Sequence, residues 1–90
     1  MATTNTSPTP NPNSLKFTLK NGTFIESGME SFNSRAEATG HPLAERLFEI
    51  DGVDNVFILP QFLTVTKSAT ADWNDVVPGV ERVVEDVLDA

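Results

Sequence analysis

The residues VDNVFILPQFLTVTK, Val53–Lys67, give the strongest structural signal in this chain. Two runs rich in β-branched and aromatic residues flank Pro60-Gln61, a pattern that predicts a β-hairpin. Pairing the strands from that turn places Leu59 opposite Phe62 and separates the side chains into two faces. One face is aliphatic and is predicted to meet helices: Val56, Ile58, Leu63 and Val65. The other is aromatic and then polar: Phe57, Leu59, Phe62, Thr64 and Thr66.

The aromatic face is the candidate protein-binding site. Contiguous apolar side chains that face solvent often mark a surface for a partner protein. If helices cover only the aliphatic face, the partner-binding residues are Phe57, Leu59, Phe62 and Thr64. The alternative is that another segment, residues 10–14 or 27–40, folds over these side chains and makes them part of the core.

A helix is predicted before the hairpin, over residues 42–50. Pro42 suits the first helical position because an N–H there would have no helical partner, and an apolar stripe follows it as far as Ile50. Gly52 supplies the usual stop. His41 is a poor capping residue by type, and a surface or capping role is favoured for it over metal binding or proton transfer.

A second helix is predicted after the hairpin. Apolar residues from Trp73 to Leu88 recur at spacings of three and four, which is typical of an amphipathic helix, and Asp72 is a candidate N-cap. Trp73 is predicted to anchor the core. Pro78 predicts either one helix kinked at that residue or a short turn followed by a helix that starts near it.

The N-terminal half predicts another hairpin. Residues 15–20 alternate between apolar and polar side chains, as in a half-buried strand. Asn21-Gly22 favours a tight turn, so residues 23–26 would form the returning strand, with a bulge or a longer loop to keep Glu26 out of the core. Residues 27–40 give a weak signal, with Met29 and Phe32 as packing candidates.

These elements predict a single α+β domain over residues 9–90. Residues 1–8 contain mostly Thr, Asn, Ser and Pro and are predicted to be a disordered tail. The order strand, strand, helix, strand, strand, helix predicts a two-layer sandwich whose sheet is antiparallel or mixed and carries both helices on one face.

Charge and composition exclude several classes of function. The chain has a formal net charge of −7 and no cysteine. The negative charge disfavours binding to nucleic acid or to an anionic membrane. Without cysteine, one chain cannot hold a thiolate-ligated zinc ion or iron–sulfur cluster. No targeting signal or membrane-spanning run is visible, which predicts a cytoplasmic protein, and a monomer is favoured over a homodimer.

The sequence predicts no catalytic site and no metal site. It has one histidine and no glycine-rich phosphate loop, nucleophile elbow or zinc-binding helix. Acidic pairs four residues apart, Glu45 with Glu49 and Glu81 with Glu85, have the spacing to chelate a hard metal. Because no histidine partner accompanies either pair, they are interpreted as solvated helix faces.

Several separated motifs resemble one family. They begin with TPNPNSLKF at Thr9–Phe17 and continue in order with Pro42-Leu43-Ala44, the run 47–53, Val56-Phe57, Phe62–Lys67, Trp73 and Pro78. The chain resembles the N-terminal domain of Nfu/NifU-type iron–sulfur cluster scaffold proteins. The residues taken as the family motif are Pro10, Asn11, Pro12, Asn13, Phe17, Pro42, Leu43, Gly52, Val53 and Trp73.

The resemblance implies a role in iron–sulfur cluster assembly. In complete members a following domain holds the cluster on a Cys-x-x-Cys pair, and this chain is interpreted as a stand-alone copy of the first domain. Iron or a cluster is then associated with it only through the family, while its partners would be scaffold, carrier or apo-recipient proteins. Members tend to carry serine where this chain has His41.

Three hypotheses follow. The first is a non-catalytic accessory module that docks with cluster scaffold, carrier or recipient proteins. The second is a direct iron-binding protein that uses surface carboxylates. The third is a structural protein that associates with itself through the face of Phe57 and Phe62.

Overall fold

The computed structural model describes residues 4–20 and 22–88. Within those ranges the chain forms five strands and two helices. In chain order they are β1 (Thr4–Pro8), β2 (Ser14–Leu19), β3 (Glu30–Phe32), α1 (Pro42–Phe48), β4 (Val53–Ile58), β5 (Phe62–Lys67) and α2 (Trp73–Leu88). The strands pair antiparallel in the order β1-β2-β5-β4-β3, and both helices lie on one face of the sheet. The predicted α+β two-layer sandwich is confirmed.

The β4–β5 hairpin has the predicted register. Phe57 pairs with Thr64, and the Leu59 N–H donates to the Phe62 carbonyl at 2.8 Å across the turn. The aliphatic face is fully buried, as its pattern predicted: Val56, Ile58, Leu63 and Val65. Burying each such side chain contributes about 1.5–3 kcal/mol relative to leaving it in water, so this hairpin is the sheet's main contribution to the core.

His41 caps α1 through its imidazole ring. The Ala44 N–H donates to His41 Nδ1 at 3.2 Å, and His41 Nε2 lies 2.7 Å from Oε2 of Glu30. Nδ1 must therefore be the unprotonated nitrogen, with Nε2–H donating to the carboxylate. His41 thus caps α1, although histidine is a poor capping residue by type, and it also links the helix to β3.

α2 runs without interruption through Pro78. Asp72 begins it as predicted, since its carboxylate accepts from the Asn74 N–H at 2.8 Å. Proline leaves the carbonyl four residues earlier without its helical donor. Pro78 is exposed, so water can reach that part of the helix. Of the two predicted arrangements the structure has the single helix, and its kink at Pro78 stays a prediction.

The predicted strand over residues 23–26 is wrong. β2 already pairs with β1 on one edge and β5 on the other, so it has no free edge for a returning strand. Gly22 and Gly28 have positive φ, and between them the Phe24 N–H donates to the Pro60 carbonyl at 2.8 Å. The third strand forms later, at Glu30–Phe32, and pairs with β4. Asn21 lies outside the described residues.

The predicted disordered tail is also different in the structure. Thr4–Pro8 forms β1 and pairs with Leu15–Leu19 of β2, while residues 1–3 lie outside the described part. The prediction weighed only side-chain burial, which this segment lacks. Backbone hydrogen bonds to an otherwise open strand edge, together with the β preference of threonine, order it instead.

Candidate protein-binding surface

The sheet face that the helices leave uncovered is called the open face here. Its side chains alternate with the buried ones along each strand. Strand pairing arranges them in rows that cross the sheet. The central row, in sheet order, is Ser7, Lys16, Thr64, Phe57 and Ser31. The next row, towards the β4–β5 turn, is Asn5, Thr18, Phe62 and Leu59.

The structure brings the four predicted partner-binding residues together. Thr64 lies directly between Lys16 and Phe57 in the central row, and Leu59 and Phe62 adjoin in the next. Phe57, Leu59 and Phe62 are partly exposed, and among the described residues none of the three packs against the hydrophobic core. Their burial therefore comes from neighbours on the open face itself.

The segments considered as covers for these aromatics lie elsewhere. In the 10–14 lead-in, the carbonyl of Pro12 accepts from Trp73 Nε1–H. Residues 30–32 of the other segment form β3, which extends the sheet sideways, so that Ser31 lies beside Phe57. The lead-in and β3 thus border the sheet and do not cover these aromatics.

Two residues that sequence reasoning missed complete this surface. Lys16 Nζ stands 4.5 Å from the centre of the Phe62 ring, a cation–π contact. Met29 is 66% exposed. It precedes Glu30, which pairs with Ile58 at the end of the β3–β4 ladder. Continuing that register by one residue would bring Met29 beside Leu59 in the second row. Neither position could be found without knowing that β2 pairs with β5 and β3 with β4.

The turn of the hairpin carries a shallow depression. Its volume is about 160 Å³, and it is lined by Leu59, Pro60, Gln61 and Phe62. We call these four residues together with Met29 the hairpin end. The hairpin end is apolar apart from Gln61, and Lys16 stands at its border over the Phe62 ring.

The charge of the open face differs from that of the whole chain. Among the described residues in regular register on this face, none is acidic and Lys16 is cationic. Asp54 lies in the bulge of β4, outside that register. The chain has a formal net charge of −7, yet the described residues in strand register on this face around its exposed aromatics include no carboxylate.

The opposite end of the sheet, here the motif end, is built around Asn13, Lys67 and Trp73. Trp73 Nε1–H donates to the Pro12 carbonyl at 3.1 Å, and Lys67 Nζ donates to Asn13 Oδ1 at 3.0 Å. Lys67 N–H also donates to the Asn13 carbonyl, and its ammonium lies 5.8 Å from the Trp73 ring centre. Trp73 is partly exposed and packs against the core. These contacts fasten the lead-in to the start of α2.

Other family-motif residues also occupy structural positions. Phe17 and Leu43 are in the core, and Val53 packs against it. Pro42 is the first residue of α1. Asn11 Oδ1 accepts from the Asn13 N–H at 2.9 Å within the lead-in, whose first residue is Pro10. A Cβ on Gly52 would stand 2.5 Å from Ala71 Cβ. Its φ is also +96°, so both space and backbone require glycine there.

The helix carboxylates give little support to a metal site. Glu45 accepts from the Gly40 N–H at 3.2 Å, and Glu49 forms an ion pair with Arg46 at 3.4 Å. Glu81 and Glu85 are exposed on α2. Over residues 4–20 and 22–88, no group of three or more potential ligand residues lies together.

A larger cleft opens where β4 meets the start of α2. It has a volume of about 450 Å³ and is lined by Asp51, Gly52, Ser68, Thr70, Ala71, Asp72, Asp75 and Val76. Its three carboxylates disfavour anionic ligands such as nucleotides. The carboxylate of Asp72 is already used as the cap of α2.

Neither helix of the described chain is long and apolar enough to cross a bilayer.

Comparison with known proteins identifies the relatives of this chain. The family model described as "Scaffold protein Nfu/NifU N terminal" matches residues 4–90. The human "NFU1 iron-sulfur cluster scaffold homolog, mitochondrial" is 43% identical over 82 residues, covering 90% of this chain and 32% of that protein. The Arabidopsis thaliana "NifU-like protein 5, mitochondrial" is 41% identical over 81 residues, covering 90% and 29%. The chain thus spans about a third of the length of these relatives.

Solved structures agree with the fold. The solution structure of a NifU-like protein from Saccharomyces cerevisiae has a TM-score of 0.86 at 26% identity, covering 98% of this chain and 79% of that one. A Staphylococcus aureus protein solved by X-ray crystallography has a TM-score of 0.73 at 27% identity, covering 90% and 95%.

These relatives correct one prediction. The human and Arabidopsis proteins are both named as mitochondrial, so the prediction of a cytoplasmic protein is wrong. It rested on the absence of a visible targeting signal and of a membrane-spanning run, and neither absence determines the compartment.

Proposed function

The chain belongs to the family of Nfu/NifU scaffold N-terminal domains, and we propose that it is a non-catalytic protein-binding module of iron–sulfur cluster assembly. Through its open face it docks with cluster scaffold, carrier or apo-recipient proteins. The observation that carries this proposal is the group of partly exposed aromatics, Phe57 and Phe62, which lie on a helix-free face and outside the core.

The distribution of reactive groups supports a binding role. The single histidine, His41, uses both ring nitrogens in holding α1 and β3. The chain has no cysteine, so the thiolates that hold a cluster come from the partner in this proposal. Iron or an iron–sulfur cluster is accordingly the cargo of the assembly rather than a group held by this chain.

An NMR titration tests the proposal. The ¹⁵N-labelled chain is titrated with a cysteine-bearing Nfu-type C-terminal domain, with and without its cluster. We expect amide shifts centred on Phe57, Leu59, Phe62 and Thr64, with α2 amides such as Glu85 as the internal control. If no amide shifts at a high concentration of that domain, or if the shifts lie on the helices, docking of that partner through the open face is rejected.

Self-association has a distinct signature in the same experiment. Shifts at Phe57 and Phe62 that grow with the concentration of the labelled chain alone, matched by a dimer in sedimentation, would replace the heterologous partner by a second copy. Titration with ferrous iron covers the direct metal-binding hypothesis, for which broadening confined to Glu45, Glu49, Glu81 and Glu85 is the supporting result.

A further inference from the structure

The hairpin end has the size of a pocket for one side chain. Its shallow depression of about 160 Å³ between Leu59 and Phe62 is open to solvent, so an incoming apolar side chain can rest in it with one side covered. Met29, the residue before β3, is 66% exposed, and continuing the β3–β4 register by one residue places it towards Leu59. Methionine adapts its shape readily to an incoming apolar group.

Lys16 gives the border of this depression a charge. Its ammonium lies 4.5 Å from the centre of the Phe62 ring, with Thr64 beside it across the β2–β5 pair. Among the described residues in regular register on the open face no carboxylate neutralises it. Adjacent strands are about 4.8 Å apart, so the cation and the apolar depression are within reach of neighbouring side chains on one partner segment.

We propose that the hairpin end receives one large apolar side chain of the partner protein and that Lys16 pairs with a carboxylate next to that side chain. This inference rests on the proposed function, in which the open face docks proteins, and it specifies the chemistry of the docking segment.

The charge of the rest of the chain limits the partner further. With a formal net charge of −7, the chain repels a strongly acidic protein at long range. A partner that carries a single carboxylate beside its apolar anchor avoids that repulsion and is attracted only at Lys16. Local pairs of this kind select orientation more than they add affinity.

Two matched peptides test the proposal. The ¹⁵N-labelled chain is titrated with acetyl-Gly-Glu-Phe-Gly-Gly-amide and with the same peptide in which lysine replaces the glutamate. We expect the glutamate peptide to shift the amides of Met29, Leu59, Gln61 and Phe62 and to bind about two- to fivefold more tightly, the range of an exposed ion pair. Lys16→Glu should invert that preference, and Lys16→Met, which keeps the aliphatic stem over Phe62, should abolish it.

Arg82→Glu is the matched control, because it makes the same change in net charge on the exposed face of α2. It should leave the preference for the glutamate peptide intact. Equal affinity for the two peptides, shifts away from the hairpin end, or an equal effect of Arg82→Glu and Lys16→Glu would overturn the inference.

The two proposals fail in different ways. If the Nfu-type C-terminal domain shifts Phe57 and Thr64 but Lys16→Glu leaves its affinity unchanged, the proposed function stands and the carboxylate partner is rejected. If the peptides show the charge preference but that domain does not bind, the proposed chemistry of the docking segment is supported. Docking of the Nfu-type C-terminal domain is then rejected.

Discussion

The side chains at the two ends of the sheet have different surroundings. At the motif end, the Lys67 side chain donates a hydrogen bond to the Asn13 side chain. The Trp73 side chain donates one to the backbone of the lead-in. At the hairpin end, Met29, Leu59 and Phe62 are partly or largely exposed, with one lysine ammonium over an aromatic ring. The motif residues Asn13 and Trp73 therefore help to build the fold. The proposed binding surface contains Phe57 and Phe62, whose partly exposed rings do not pack against the described core.

Substitution of Gly52, a residue of the family motif, should cause the largest loss of stability. In Gly52→Ala the new Cβ would lie 2.5 Å from Ala71 Cβ, and the φ of +96° strains any L-residue. We expect a loss of about 3 kcal/mol in the free energy of unfolding, from backbone strain of about 1–2 kcal/mol and overpacking of about 1–3 kcal/mol. Urea denaturation measures it.

Gly28→Ala is the matched control for Gly52→Ala. Gly28 has a φ of +78°, but a Cβ there meets no atom within 4 Å. It should therefore show the strain alone, about 1–2 kcal/mol. If both variants lose the same stability, the close approach of Gly52 to Ala71 has no energetic consequence.

Removing the aromatics of the open face should affect binding more than stability. The double variant Phe57→Ser/Phe62→Ser truncates side chains that are already partly in water, so we expect binding of the Nfu-type C-terminal domain to weaken by tenfold or more, about 1.4 kcal/mol. Calorimetric titration measures it, and circular dichroism checks the fold.

The pair Glu81→Ser/Glu85→Ser on α2 serves as the control for that double variant. These exposed residues lie on the helix layer, and their loss should leave the affinity within a factor of about two. If the aromatic variant unfolds instead, the open face is part of the core and the contrast between the two ends disappears.

The smallest effect is expected from removing the hydrogen bond that Trp73 donates at the motif end. Trp73→Phe keeps an aromatic ring against the core but removes the donor to the Pro12 carbonyl. We expect a loss of about 1 kcal/mol in unfolding free energy, the usual contribution of one hydrogen bond, with partner affinity unchanged. Reduced affinity without reduced stability would place a binding role at the motif end after all.

The sequence predicted the parts of the fold that depend on near neighbours. The β4–β5 hairpin, its two faces and both helices follow from periodicities within short windows. Phe57 and Phe62 were therefore placed on the correct face of the correct hairpin. Whether they bind a partner stays a prediction.

The missed elements depend on distant pairing. β1 is stabilised by β2 rather than by its own side chains, and β3 forms where the β4 edge is free instead of where Asn21-Gly22 favours a turn. For the same reason Lys16 and Met29 were not recognised as neighbours of Phe62 and Leu59. His41 was judged by residue type, whereas its capping role depends on the ring orientation that Glu30 fixes.

The position of β2 between β1 and β5 determines the order in which the sheet can form during synthesis. Ser14 of β2 pairs with Thr66 of β5, 52 residues later in the chain. β2 therefore leaves the ribosome long before β5 has been made. The β4–β5 hairpin closes locally and fast, whereas the long-range pairing waits for loop closure. Until Lys67 has been made, β2 can pair with β1 but not with β5. The edge of β2 that will meet β5 stays open to solvent and to chaperones.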